Sequence, residues 1–250
     1  MTISRRIAFA TLAAPLALAL SACGGGEEDG PVAALDPIEA PAGSLWTETV
    51  EITDSDGYLL GNPDAPIKLV EYASLTCPAC ANFSQTGERP LVEDYVSTGL
   101  VSYELRNQVH NIWDLALARL VRCSAPESFH PLSNQVWANL GQLQNQMGQS
   151  QPVLQAMGDV AEEERFVMVA QASGFLDFFA SRGISNDQAV ACLSDAESVI
   201  AIGDRSTEQS DELGINSTPT FILNGRVLEE RSWPSLEPLL QNAGARPAEG

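Results

Sequence analysis

Two cysteines in a CxxC spacing stand directly after an apolar, partly β-branched run, and this feature restricts the fold most. Residues 67–75 have the character of a buried strand, and Cys77 and Cys80 follow them. A CxxC motif that opens a helix places its first sulfur over unpaired backbone N–H groups, which lowers the thiol pKa. Thr218-Pro219 precedes a second apolar run much later in the chain. The sequence therefore predicts a dithiol redox site, with Cys77 as the nucleophile.

The pattern around this motif alternates between strand and helix. A helix should follow the CxxC, with Pro78 in its first turn, and Pro90 predicts a kink or break within it. Residues 100–105 alternate as a second strand. Residues from about 111 to 211 carry helical periods without a convincing strand.

The C-terminal part predicts a hairpin and a final helix. Asn224-Gly225 lies between two strand-like runs and accepts the positive φ angles of a tight turn, and residues 233–242 form a helical pattern. A βαβ unit, a helical excursion and a ββα unit together make an interrupted thioredoxin fold. We therefore predict an α/β chain, a thioredoxin fold with a helical domain (about 111–211) inserted between its βαβ and ββα halves.

The N-terminus predicts an export signal and a tether. Residues 1–22 combine Arg5-Arg6, an apolar stretch and small residues, which is typical of a signal peptide, and the stretch is short for a membrane span. The Leu-Ser-Ala-Cys sequence ending at Cys23 resembles a bacterial lipoprotein box, so Cys23 would carry the lipid. Ordinary cleavage near Ala22, leaving Cys23 free, is the alternative.

The rest of the chain divides by composition. Residues 23–54 are acidic and rich in Gly and Pro, which predicts a lipid-anchored flexible tether. Residues 55–243 are long enough for one domain with its own core, and residues 244–250 predict a disordered tail.

The net charge argues against binding to nucleic acid or to anionic membrane surfaces. The chain has 33 acidic against 13 basic residues, a net charge of −20. Such a surface repels phosphate backbones and anionic lipid, so we expect no nucleic-acid partner and no electrostatic membrane capture.

Two further cysteines, Cys123 and Cys192, lie in helical patterns that can pack together. An exported chain keeps such a pair as a structural disulfide, because its compartment is oxidising. Two buried free thiols acting as small apolar side chains are the alternative.

Taken together, residues 55–243 resemble the DsbA-like branch of the thioredoxin superfamily, which includes lipoprotein members. The resemblance rests on residues 70–80, on residues 217–225 and on the helical insertion between them. It implies that Cys77 is the exposed attacking cysteine, Cys80 the buried resolving cysteine and Pro219 a cis-proline beside them. Pro219 as an ordinary strand-initiating proline is the alternative.

The resemblance also assigns supporting roles. Thr218 would pair with an extended substrate through its main chain, and Pro78 and Ala79 would contact substrate. Glu71 stands inside an apolar strand, where a carboxylate is costly to bury without a partner or a role. The family has an acid at the matching position that moves protons for the buried cysteine; a solvated strand-end acid is the other interpretation.

Two departures modify the expected chemistry. DsbA has Pro-His between its cysteines, whereas this chain has Pro78-Ala79, so we expect a higher Cys77 pKa and a less oxidising disulfide. Thr218 before the proline is similar to the disulfide isomerases, but residues 24–54 are too short for the extra N-terminal domain of periplasmic isomerases.

The resulting hypothesis is an enzyme, a thiol-disulfide oxidoreductase of the periplasm, lipid-anchored to a membrane. It would exchange disulfides with exported proteins as a disulfide donor, recharged by a membrane redox partner. It would need no cofactor or metal beyond the Cys77–Cys80 disulfide. An envelope reductase or isomerase using the same site is the first alternative.

Two alternatives come from other functional classes of protein. A metal-binding lipoprotein would use Cys77 and Cys80 as thiolate ligands, but only two histidines, His110 and His130, accompany them, and no second CxxC exists in the sequence. A binding module with a merely structural CxxC conflicts with the position of the pair at an accessible helix start.

Overall fold

The computed structural model describes residues 33–248. The predicted signal segment 1–22 and the predicted lipidation site Cys23 lie outside the described residues.

A six-stranded sheet with the strand order β1-β2-β4-β3-β5-β6 forms the centre of the fold. Its strands are β1 (Val50–Ile52), β2 (Tyr58–Leu60), β3 (Ile67–Ala73), β4 (Val101–Asn107), β5 (Thr220–Leu223) and β6 (Arg226–Val227). β3 pairs in parallel with β4 and antiparallel with β5, so the βαβ and ββα halves meet at β3. This is the predicted thioredoxin arrangement, and the fold prediction is confirmed.

The helix after β3 begins as α1 (Pro78–Phe83). It continues through π-helical turns at Ser84–Glu88 and Leu91–Tyr95 and a 3-10 turn at Val96–Thr98. Pro90 stands between the two π turns, where widened hydrogen bonding accommodates its missing N–H. The expected disturbance at Pro90 is thus a local rewinding of the helix.

The helical domain separates β4 from β5. It consists of α2 (Ile112–Leu120), α3 (Phe129–Ala138), α4 (Leu140–Ala156), α5 (Glu162–Ala172), α6 (Phe175–Ala180), α7 (Asn186–Ser194) and α8 (Ala196–Leu213). The last helix, α9 (Trp233–Asn242), follows the β5–β6 hairpin. Asn224 and Gly225 both have positive φ in that hairpin, as the sequence predicts. One hydrophobic core runs from the sheet into the helical domain, so the two parts stabilise each other.

Ordered contacts are present on both sides of residues 55–243. Residues 50–52 fall in the predicted tether, but they form β1, which pairs with β2 at the edge of the sheet. The N–H of Ile38 donates to the Thr98 carbonyl at 2.8 Å. In the predicted tail, Ala245 is buried and the N–H of Ala248 donates to Asp94 O at 2.7 Å. The folded part therefore extends beyond residues 55–243 at both ends.

Within residues 33–248, no helix has the length and apolarity needed to cross a membrane.

Candidate active site

The CxxC pair lies where β3 passes into α1. Cys77 is the N-cap residue of α1, and its sulfur accepts the backbone N–H of Cys80 at 3.4 Å. Pro78 occupies the first helical turn, where a missing N–H costs nothing. Cys77 is partly exposed, Pro78 and Ala79 are exposed, and Cys80 is fully buried. An incoming thiol can therefore reach Cys77 and not Cys80.

The environment of Cys77 stabilises its thiolate. Its pKa is lowered from 9.0 to about 5, chiefly by the hydrogen bond with the Cys80 thiol, with further donors at the Thr218 side chain and at the backbone N–H groups of Cys80 and Ala79. Most Cys77 is then thiolate at neutral pH. This pKa lies above the roughly 3.5 of DsbA, in the direction expected from the missing motif histidine.

The environment of Cys80 has the opposite effect. Burial raises its pKa far above the ordinary value, and the Cys77 sulfur and the charge of Glu71 raise it further. A buried thiol of this kind keeps its proton until a nearby base removes it. The two sulfurs are therefore differentiated into an exposed nucleophile and a protonated partner.

The loop before β5 lies beside the dithiol. The Thr218–Pro219 peptide bond is cis. When Cys77 is protonated, its thiol donates to the Thr218 carbonyl at 3.4 Å, so main-chain groups of this loop are next to the reacting sulfur. Thr218 is partly exposed and Pro219 is buried beneath it. An extended peptide can pair with this loop as an added strand.

Glu71 lies inside the protein behind the cysteines. It is 1 % exposed, and the Tyr103 hydroxyl donates to its Oε2 at 2.5 Å. Its Oε1 has no hydrogen-bond partner among the described residues. Burial raises the pKa of Glu71 from 4.5 to about 8, although the Tyr103 hydrogen bond opposes the shift. Glu71 is therefore mainly a neutral acid at pH 7, and it is not a solvated strand-end residue.

This buried acid predicts a pH-dependent stability. The folded-state pKa of Glu71 lies above its unfolded value, so the folded chain binds more protons between pH 4.5 and about 8. The stabilising contribution is complete below pH 4.5 and is lost as the pH rises through 8. We expect Glu71→Gln to match the wild type near pH 4.5 and to exceed its free energy of unfolding by about 5 kcal/mol well above pH 8.

Urea unfolding of both proteins across this pH range measures the effect. Glu48→Gln, the same change at an exposed residue, is the control and should show no such trend. A difference between Glu71→Gln and wild type that stays constant with pH would contradict the expectation.

Sequence reasoning missed Asp114, which anchors the loop before Cys77. Its carboxylate accepts the Ser74 hydroxyl at 2.6 Å and the backbone N–H groups of Leu75 at 2.9 Å and His110 at 3.0 Å. Asp114 is 1 % exposed in the first turn of α2. It thus connects the helical domain to the redox loop. An acid three residues after the N-cap Asn111 was the only signal in the sequence, and that pattern usually marks a helix start alone.

The two histidines differ in position. His110 is exposed, with its Nε2 3.5 Å from the Thr218 Oγ1, at the edge of the candidate site. His130 is buried, and its Nε2 lies 3.0 Å from the Tyr58 carbonyl. Neither joins the cysteines as a ligand set, and residues 33–248 contain no cluster of three or more His, Cys, Asp or Glu side chains able to hold a metal ion.

The remaining cysteines are joined in the helical domain. Cys123, just after α2, forms a disulfide with Cys192 of α7. The Arg119 side chain donates to the Cys192 carbonyl, and Gln188 donates to the Cys123 carbonyl, so both segments are also held by hydrogen bonds.

Comparisons with known proteins agree with this geometry. The Thioredoxin_4 family model, described as Thioredoxin, matches residues 53–242. A relative in Rickettsia bellii, named "Putative protein-disulfide oxidoreductase", is 25% identical over 208 residues, which are 82% of this chain and 71% of that protein. A namesake in Rickettsia conorii is 36% identical over 95 residues, 38% of this chain and 34% of that protein.

Two solved structures have a similar fold. The crystal structure of a protein-disulfide isomerase from Novosphingobium aromaticivorans matches with a TM-score of 0.68 and 29% identity, covering 73% of this chain and 94% of that one. Wolbachia pipientis alpha-DsbA1 matches with a TM-score of 0.60 and 20% identity, over 76% of this chain and 91% of that one, which supports the fold.

Fold, dithiol and comparisons together define a thiol-disulfide oxidoreductase of the thioredoxin superfamily. The chain belongs to the Thioredoxin family represented by this model, and its fold is like that of the Wolbachia DsbA structure.

Proposed function

We propose that this protein exchanges disulfides with exported proteins in the cell envelope through Cys77 and Cys80, and that it works as the disulfide donor. The observation that carries the proposal is the contrast between the two sulfurs. The pKa of the accessible Cys77 is lowered to about 5, whereas burial raises that of Cys80. Cys77 is then the better leaving group and the sulfur open to attack, which makes its disulfide reactive.

The reaction balances without a cofactor. A substrate thiolate attacks the Cys77 sulfur of the Cys77–Cys80 disulfide, the S–S bond breaks, and Cys80 leaves as a thiolate that takes a proton from Glu71. A second substrate thiolate then attacks the substrate sulfur of the mixed disulfide and expels the Cys77 thiolate. The substrate is oxidised by two electrons and the enzyme dithiol is reduced, so a membrane redox partner must reoxidise it.

The location is supported by indirect observations. The Cys123–Cys192 disulfide suits an oxidising compartment such as the periplasm. The signal-like segment 1–22 and the lipoprotein-type Cys23 suit export and a lipid anchor. Substrates would then be exported protein thiols met close to a membrane surface.

The reduction potential of Cys77/Cys80 tests the donor role. A Cys77 pKa of about 5 lies between the roughly 3.5 of DsbA and the roughly 7 of thioredoxin. We therefore expect a potential well between their values of about −120 and about −270 mV. Equilibration with glutathione measures it, and the Cys123→Ser/Cys192→Ser protein controls for the second pair. A potential at or below about −270 mV would instead favour the reductase alternative.

Disulfide isomerisation is the second candidate, favoured by Thr218 and by the name of the Novosphingobium structure. An isomerase reactivates scrambled ribonuclease from its reduced state, whereas a donor acts from its oxidised state on reduced ribonuclease. Comparing the two assays separates these functions.

A further inference from the structure

A second buried carboxyl accompanies Glu71. Glu88 is 5 % exposed, at the end of the first π turn after α1. Its Oε1 accepts the Asn134 side-chain N–H at 2.6 Å, and its Oε2 has no hydrogen-bond partner among residues 33–248. Burial raises the pKa of Glu88 from 4.5 to about 7. The exchange mechanism above does not use this group.

Helix α3 holds Glu88 on the side of the sheet where Glu71 lies. Its His130 ring packs against the Tyr103 ring, with centroids 5.4 Å apart, and its Asn134, one turn further on, holds Glu88. The Tyr103 hydroxyl in turn donates to Glu71. The charge of Glu88 accordingly raises the pKa of both Glu71 and Tyr103.

Glu88 lies beside a solvent-accessible groove, whereas Glu71 does not. A groove of about 800 Å³ runs between the N-terminal segment, the helix after α1 and α3. Glu88, His130 and Asn134 line it together with apolar side chains such as Val92, whereas Glu71 is not among its lining residues. Glu88 is therefore the carboxyl of the two that borders an opening.

We propose that Glu71 and Glu88 act as a coupled carboxyl pair, in which Glu71 exchanges one proton with the Cys80 sulfur and the charge on Glu88 sets how firmly Glu71 holds that proton. Glu88 is a positioning residue, since it acts through Glu71. This inference rests on the proposed exchange reaction. When Cys80 leaves as a thiolate, the proton moves from the Glu71 carboxyl to its sulfur; when Cys80 attacks a mixed disulfide, the same proton returns.

The charged surroundings support a coupling of this kind. The ionisable groups that face Glu71 are Tyr103 from β4, Glu88 from the helix after α1, and Cys77 and Cys80 at the start of α1. His130 beside Tyr103 has its pKa lowered to about 4 by burial, so it is neutral and does not neutralise either carboxylate. Two interacting buried carboxyls ionise in sequence, because the first charge opposes the second.

Carbon-13 NMR of glutamate-labelled full-length protein, reduced and titrated with pH, tests the coupling. In the wild type, the Glu71 carboxyl signal should move in two steps, one of which follows the ionisation of Glu88. Glu88→Gln should remove that step and lower the proton affinity of Glu71 by about tenfold. Glu93→Gln is the matched control, because Glu93 is on the same helical segment but is exposed and paired with Arg89; its effect should stay below about twofold.

A kinetic measurement connects the pair to the reaction. The rate constant for oxidised protein reacting with a reduced peptide, corrected for the peptide thiolate fraction, should fall as Glu71 loses its proton. Glu88→Gln should move this fall to lower pH by the same factor as the NMR shift, and Glu93→Gln should leave it in place.

A single-step Glu71 titration in the wild type, or a Glu88→Gln protein whose Glu71 titrates and whose rate falls as in wild type, would overturn the inference. A wild-type protein that exchanges no disulfide while its two carboxyls still titrate together would contradict the proposed function. It would also contradict the role of the pair in that reaction, but it would leave the coupling of the two carboxyls intact.

Discussion

Replacing Cys77 with serine is expected to reduce thiol-disulfide exchange by about three orders of magnitude or more. The reason is that Cys77 carries the sulfur that substrate thiolates attack and that later leaves as a thiolate. The Cys77 thiol has its pKa lowered to about 5, so at pH 7 it is almost entirely thiolate. A serine hydroxyl in the same position stays protonated and cannot form a disulfide. The measurement is the rate at which reduced peptide thiols become oxidised by the preoxidised protein.

Cys80→Ser is the matched control, since it removes the buried sulfur and leaves the accessible one. Cys77 keeps its exposure and its Thr218 contact, so this variant should still attack a disulfide and should accumulate a stable mixed disulfide, visible by mass spectrometry. Exchange that persists in Cys77→Ser, or a mixed disulfide formed on Cys80 in that variant, would mean that the roles of the two sulfurs are assigned wrongly.

The elements that could be predicted from the sequence are those specified by neighbouring residues. The apolar, partly β-branched composition of residues 67–73 predicts β3. The Asn224-Gly225 turn follows from the positive φ that only a few residues tolerate. The strands β1 and β2 were missed because they are three residues each and depend on distant pairing. Leu60 pairs with Tyr103, far along the chain, and no local pattern reports such a contact.

The candidate site divides in the same way. The sequence predicts Cys77, Cys80 and Pro219 as site residues because the chemistry requires them at a recognisable spacing, and the structure places them side by side. Tyr103, Glu88 and Asp114 were not found, because their part in the site depends on tertiary packing. Tyr103 looks like an ordinary strand residue until its hydroxyl is placed on Glu71. Buried polar networks are the least predictable part of such a site.

Removing the second disulfide is expected to produce the largest loss of stability. Cys123 and Cys192 are 69 residues apart in sequence, so their bond closes a long loop in the unfolded chain. In the loop-entropy model this lowers the entropy of the unfolded state enough to stabilise the fold by about 4 kcal/mol. The double variant Cys123→Ser/Cys192→Ser should lose about that amount in the free energy of unfolding, measured by guanidinium denaturation.

The variant isolates the covalent bond from the packing around it. Both cysteines are only partly buried, so a serine hydroxyl at either position is not stranded without solvent. The hydrogen bonds from Arg119 and Gln188 go to backbone carbonyls and survive the change. Wild-type protein unfolded with the 123–192 bond reduced should match the double variant to within about 1 kcal/mol, because both lack the cross-link in the unfolded state. If the double variant instead unfolds like the oxidised wild type, the two cysteines behave as the pair of free thiols that the sequence left open, and the oxidising compartment loses its main structural support.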